Sequence, residues 1–415
     1  MNLANNKKML KLSKSLLPGG STFNKTNFFD NGKTPFCLKS GKGSIVKDID
    51  NNKYIDFMNG LGCNLLGYNV PFINKAITRE INNGVLLPLA NELEVEVAKK
   101  LIKLIPSAEA VRFGKNGSDV LTQAVKLSRY ITNRNHVLFG GYHGWHDWVI
   151  GKTSRSGGIP KAEKKLSHKF IFNDMKSIKE LYKKLNGDVA CIVMDLVARY
   201  YPEKKFLKEI RNFCNKKKII LVFDEIVTGF RIHKGGAQSF FKVKPDLSCF
   251  GKAMGNGVPI SALVGKKKYM KNFSKVFYAM NFVADKSSLA AANITLKYYI
   301  KNNVAKEVNT KGNFLKKKLS KILENYKLNN LFELQGMSSR IIIGFKNNLD
   351  SDFLKKKNFN IEKIVKFMIE TFAQNGILCN LSIFINKSHS KQDLNNFVKT
   401  FEFICKKISL NSTKL

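Results

Sequence analysis

Two residues 28 positions apart carry the most legible chemistry in this chain. Lys252 lies in the small-residue stretch Phe250-Gly251-Lys252-Ala253-Met254-Gly255-Asn256-Gly257. Asp224 closes the apolar run Leu221-Val222-Phe223-Asp224 and is followed by Glu225. A lysine amine condenses with an aldehyde, and a carboxylate pairs with a protonated ring nitrogen. Chemistry on pyridoxal phosphate needs both. Either residue alone reads as a surface lysine or a strand-end aspartate. Paired, they assign Lys252 as Schiff-base partner and Asp224 as ring-nitrogen partner. An opposite charge at about 4 Å contributes roughly 4 kcal/mol at an effective dielectric of 20. That raises the ring-nitrogen pKa by up to about 3 units before desolvation is subtracted. Once displaced by a substrate amine, Lys252 is free to act as general base at the substrate Cα. Desolvation and positive surroundings keep its amine partly neutral.

Two further segments fit the same cofactor. Asn116-Gly117-Ser118-Asp119 stands between a strand and a helix. Glycine lets the backbone approach an anion, Ser118 can cap the helix and donate its hydroxyl, and helix N-terminal amides suit a phosphate. Any strand-to-helix loop also wants glycine and a cap. Asp119 supports the helix dipole but repels phosphate if it turns inward. The aromatic loop Gly141-Tyr142-His143-Gly144-Trp145-His146-Asp147-Trp148 follows the strand ending at Phe139. Tyr142 or His143 can offer a ring face to a flat heteroaromatic, unless these aromatics serve core or interface packing.

The elements that position these residues are readable from periodicity. Ser44 to Asp50 and Lys53 to Phe57 alternate about Asp50-Asn51-Asn52 and predict a hairpin. Asn91 to Leu104 has helical spacing and Pro106 closes it. Val111 to Gly114 predicts a strand and Ser118 to Ile131 the helix after it. Val137 to Phe139, Val189 to Met194 and Ile219 to Phe223 are buried-strand runs, with a helix over Glu203 to Lys216 before the last. Alternating strands and helices predict an α/β fold with a mostly parallel sheet covered on both faces. After about residue 300 the pattern is helical, with a strand at Arg340 to Gly344. The domain reading is an N-terminal segment over 1–60 packing with the small domain, a large domain over 61–300 and a small C-terminal α/β domain over 301–415.

Length and composition bound the rest. A chain of 415 residues, 44 % hydrophobic, can bury a substantial core. No run approaches the roughly 20 apolar residues of a membrane span. Met1 to Lys14 is polar and basic with no apolar core, so it reads as a frayed segment rather than a secretory signal, with an organelle transit peptide left open. The net charge of +40 favours anionic partners. Its lysines are dispersed, in clusters such as Lys216–Lys218, Lys266–Lys268 and Lys355–Lys357, which read as solvated faces. No nucleic-acid module is present, and A/T-rich coding accounts for such a composition as well. The seven scattered cysteines contain no CxxC pair and read as reduced cytoplasmic thiols. The six histidines show no metal spacing.

Taken in order, these segments resemble the class III aminotransferases, pyridoxal-phosphate enzymes of fold type I, and most closely their branch similar to glutamate-1-semialdehyde 2,1-aminomutase. The resemblance runs from about Leu12 to Ile300. It rests on Pro18-Gly19-Gly20, Tyr54-Ile55-Asp56, Glu92-Leu93-Glu94, the stretches Arg112 to Asp119 and Tyr142 to Asp147, Asp224 to Arg231, and Gly251 to Pro259. It implies Lys252 as Schiff-base lysine and Asp224 on the ring nitrogen. Ile226 and Tyr142 then lie against the two ring faces, with Gly117 and Ser118 on the phosphate. It also implies a homodimer with active sites at the subunit interface. Three departures stand out. Asp195-Leu196 replaces the family's Glu-Pro. Asn281-Phe282-Val283-Ala284 replaces a Thr followed by two glycines, where Asn281 can still donate to a phosphate from the neighbouring subunit. Lys25 stands where relatives carry an arginine for the substrate carboxylate, keeping the charge but losing the planar fork. An aminomutase and an ordinary transaminase share the same lysine and acid, so both readings stay open. So does a cofactor-binding protein with impaired turnover.

Overall fold

The structure, a computed structural model, describes residues 1–18, 29, 31–346 and 360–410. The chain divides into two compact units, Met1–Val70 with Glu307–Leu415, and Pro71–Lys306.

In the first unit β1 (Leu38–Lys42), β2 (Ile45–Asp48) and β3 (Lys53–Asp56) form an antiparallel meander. The predicted hairpin turn is present, with Asn51 left-handed at φ 67°, a conformation asparagine tolerates.

The second unit is built on seven strands: β4 (Ala110–Gly114), β5 (His136–Gly140), β6 (Ser167–Lys169), β7 (Val189–Asp195), β8 (Ile220–Asp224), β9 (Leu247–Phe250) and β10 (Ser261–Gly265). Their order is β4-β10-β9-β8-β7-β5-β6, and β10 alone runs antiparallel to its neighbours. Every residue of β7 and β8 is buried. Successive strand residues point to opposite faces, so both faces are covered. Cys191, Val193 and Val222 pack in one cluster with Val120, Leu121, Ala124 and Leu127 of helix Gly117–Thr132. Helix Lys204–Lys217 contacts β8 through a face that buries Phe206, Leu207, Ile210 and Cys214. Helix Glu92–Leu104 starts at Asn91, whose side chain accepts from Leu93 N–H while Glu94 returns a bond to the Asn91 N–H. This reciprocal cap explains why the helical pattern begins there.

Returning to the first unit, β11 (Phe332–Gln335), β12 (Arg340–Phe345) and β14 (Ser382–Phe384) form a three-stranded sheet, while the short β13 (Ile377–Leu378) adds in parallel to β3. No helix among the described residues is long and apolar enough to cross a membrane.

The N-terminal segment corrects one expectation. Met1 to Lys14 is not frayed: Ala4–Leu16 is a helix. Its buried face is half polar, which hides it from a hydrophobic-period search. Leu3 and Leu10 are buried beside Asn6 and Ser13. Asn6 donates to Asp48 (3.1 Å) and Asp50 (2.8 Å) and accepts from the N–H groups of Phe36 (2.7 Å) and Cys37 (2.9 Å). Asp50 in turn accepts from the N–H groups of Asn5 and Asn6, two donors a helix start leaves unpaired. Asn6→Ala deletes all four side-chain bonds. It is expected to cost about 2–3 kcal/mol, measured as a lowered thermal unfolding temperature. An unchanged melt would show that Leu3 and Leu10 alone dock the helix.

Candidate active site

Parallel register sets the acid and the lysine on neighbouring strands. Asp195 of β7 pairs with Asp224 of β8, and Asp224 pairs with Cys249 of β9, three residues before Lys252. These strands end together at the carboxyl edge of the sheet, where open α/β sheets bind their ligands.

Asp224 is buried and contacted on both carboxylate oxygens. One carboxylate oxygen lies 2.7 Å from His143 Nδ1, and the other accepts from Ile226 N–H at 3.0 Å. His143 Nε2 meets the Gly140 carbonyl at 3.0 Å. A carbonyl only accepts, so Nε2 is the donor there. The imidazole is buried and stacks on Trp148 (centroids 6.2 Å apart, 13° between planes). His143 therefore orients the acid, while the Tyr142 ring stands 65 % exposed.

The turn Asn116–Asp119 packs against Ile226, two residues after this acid. Asn116 is the extended residue before helix Gly117–Thr132, so the cap falls on Asn116 and Ser118 is already inside the first turn. Asp119 turns back, accepting from the Asn116 N–H at 2.7 Å. A methyl group on Gly117 would stand 3.0 Å from Ile226 Cδ1, and one on Gly251 3.2 Å from the same atom. Ile226 thus touches both the turn and the residue before Lys252. A methyl group on Gly144 would lie within van der Waals radius of Ser118 Oγ, and Gly144 has φ +98°. Only glycine lets the aromatic loop come this near the turn.

Lys252 opens a short 3-10 turn, Lys252–Met254, with φ 45°. A non-glycine residue held there is strained, and such strain gathers at functional sites. Asn281 is exposed in the turn that leads to Asp285, and makes no hydrogen bond to Asn116–Ser118 among the described residues. Lys25 lies outside the described residues. Asp195 is buried, and its carboxylate accepts from Val197 N–H at 3.1 Å.

Two residues carry weight that the sequence did not reveal. Lys115 forms an ion pair with Asp285. Burial brings its ammonium down to about 8 from 10.5. Glu225 is fully buried, accepting from the Thr228 hydroxyl and from the N–H groups of Ala237 (2.7 Å) and Gln238 (2.9 Å). It thereby ties the Asp224 strand to the start of helix Gly236–Phe241. An acid directly after the apolar run was its only sequence signal.

Comparison with known proteins decides the family. The model of Aminotransferase class-III matches residues 28–400. The chain belongs to the class III aminotransferases. Among curated relatives, a glutamate-1-semialdehyde 2,1-aminomutase of Methanosphaera stadtmanae is 33 % identical over 90 % of this chain and 92 % of its own. A 3-aminobutyryl-CoA aminotransferase of Cloacimonas acidaminovorans is 34 % identical over 78 % of this chain and 80 % of its own. The FumI protein of Sphingopyxis sp. MTA144, solved in its PLP internal aldimine form, has the same fold, with TM-score 0.90, 23 % identity and coverage of 99 % and 98 %.

Pyridoxal phosphate is accordingly the cofactor of this aminotransferase. The residues present fit it. Gly117 has no side chain, and the nearest atoms to an added methyl are those of Ile226. The amides there open a sixteen-residue helix, a place that suits an anion, and a buried acid is held ready one strand from a lysine.

Burial pushes the Glu225 carboxyl up to about 6 from 4.5. The folded state then holds a proton that the unfolded chain releases, so this group costs stability as pH rises from 4.5 to about 6. Glu225→Gln is expected to remove that slope, on the order of 2 kcal/mol, in denaturant melts at pH 4.5 and 6.5. Parallel stability curves for the two proteins would refute the assignment.

Proposed function

We propose that this class III enzyme moves an amino group within a small amino-carbonyl substrate in the manner of glutamate-1-semialdehyde 2,1-aminomutase, with Lys252 and Asp224 at its centre. The observation that carries the reading is the buried Asp224–His143 contact, one strand away from a strained, half-buried Lys252. The aminomutase relatives aligned over nine-tenths of the chain support the substrate type.

Pyridoxal phosphate, when bound, supplies a carbon that carries the amino group and a ring that draws electrons from the substrate Cα. The N–H groups of Gly117 and Ser118 and the Ser118 hydroxyl bind the phosphate. Asp224, oriented by His143, holds a proton on the ring nitrogen. Ile226 supports one ring face and Tyr142 closes on the other. Lys252 would hold the cofactor through Nζ and, once a substrate amine occupies that place, would carry a proton on Nζ to and from the substrate carbon that bears the amino group. Asn281 reaches the phosphate of a second subunit, and Lys25 pairs with the substrate carboxylate. Exposed Phe277 (79 %) and Phe282 (64 %) flanking Asn281 support a homodimer in which this segment is covered.

A second reading, an ordinary transaminase, draws on the 3-aminobutyryl-CoA aminotransferase relative and on the altered Asn281–Ala284 segment. Purified protein mixed with pyridoxal phosphate is expected to show a visible absorption band that Lys252→Ala lacks. Glutamate-1-semialdehyde is then supplied without an amino donor. Product supports the mutase; product only after an amino acid is added transfers the case to the transaminase.

A further inference from the structure

Lys115 precedes the turn Asn116–Ser118, and its side chain runs into the protein rather than toward solvent, being 13 % exposed. Its ammonium meets three groups: the Asp285 carboxylate, the Ser288 hydroxyl at 3.0 Å and the Pro259 carbonyl at 3.3 Å. They come from two different elements: Pro259 from one, Asp285 and Ser288 from the other. Pro259 closes the loop that starts at Lys252. Asp285 ends the segment that begins at Asn281 and caps helix Lys286–Lys301 through the Ser288 N–H at 2.9 Å. Lys115 itself continues into the phosphate turn. A second bond close by, from the Ser261 hydroxyl at the start of β10 to the Asn116 carbonyl at 2.9 Å, holds the turn to the strand that follows the lysine loop. The same end of the Asn281 segment is held a second time, because Asn91 donates to the Ala284 carbonyl at 3.1 Å.

A neutral side chain could fill this space but could not satisfy a buried carboxylate, a hydroxyl and a carbonyl together. An ammonium has three donors on one atom, and here each finds an acceptor. We propose that Lys115 is a positioning residue, pinning the phosphate turn to the Lys252 loop and to the Asp285 helix cap, so that the cofactor's phosphate end and its lysine anchor keep a fixed separation. Val283 and Ala284 stiffen the strap from Asn281 to Asp285, and the pin fixes the end of that strap. The proposal rests on the assignment of Lys252 and the Asn116–Ser118 turn made above.

The test compares four proteins: parent, Lys115→Met, Asp285→Asn and the double variant. Asparagine is itself a good helix cap, so Asp285→Asn removes the charge while leaving the Ser288 bond available. Each apo protein is titrated with pyridoxal phosphate and followed by visible absorbance, well below its own melting temperature. Each single variant is expected to raise the dissociation constant at least tenfold, and the double no more than the weaker-binding single, because one contact is being removed twice. Singles within twofold of the parent would overturn the pin, even if their melting temperatures fall, since that pattern marks a purely structural ion pair. Multiplying effects in the double would overturn it as well. A parent that gives no band at all would instead defeat the underlying site assignment, while a normal parent with unaltered variants defeats the pin alone.

Discussion

A carboxylate at the end of a fully buried strand is the constraint around which this site is arranged. Asp224 is 6 % exposed, and a buried charge is costly unless donors surround it. Ile226 supplies a backbone N–H, and His143 Nδ1 lies 2.7 Å from the other carboxylate oxygen. The imidazole is held in turn by Gly140 on one side and by Trp148 on its face. The Trp148 indole N–H donates to Thr122 Oγ1 at 2.9 Å, on the helix whose N-terminus forms the anion turn. The partners that satisfy the acid thus extend, residue by residue, to the helix that starts at Gly117. Ile226 makes the shorter connection, standing between Gly117 and Gly251. The site is held by a chain of packing and hydrogen bonds that returns through Ile226 to Gly251, the residue before Lys252.

The parts of this arrangement that show in a sequence are those with a period or a fixed neighbour. β5, β7 and β8 appear as apolar runs because strands buried on both faces leave no room for polar residues. The helix after β4 is visible from its spacing and from Asn116-Gly117 before it. The single reversed strand β10 is not, since Ser261–Gly265 has the same apolar character whichever way it runs. Helix Ala4–Leu16 escapes because its contacts pass through Asn6, and one buried amide leaves no periodic trace. His143 is visible as a site residue, though its ring is tied down at both nitrogens, to Asp224 through Nδ1 and to the Gly140 carbonyl through Nε2, instead of offering a free ring. Lys115 is invisible for another reason: among 71 cations, nothing local separates the one whose partner lies 170 positions away.

That imbalance of charge has its own geometry. Acids are scarce, and many hold interior posts: Asp48, Asp56, Glu80, Asp195, Asp224, Glu225, Asp246 and Asp285 are all buried. Several satisfy backbone N–H groups at helix starts and turns, work a cation cannot do. Asp246 alone serves Arg211, Lys266 and the Leu221 N–H. The exterior is consequently left to lysine with few anions to answer it. Such a surface is neutralised by what the solvent brings. Dissolved ions shorten the reach of its self-repulsion to about 8 Å at 0.15 M salt. Ionic strength therefore acts on this molecule as a structural ingredient of its outer layer, while the eight buried acids are screened much less.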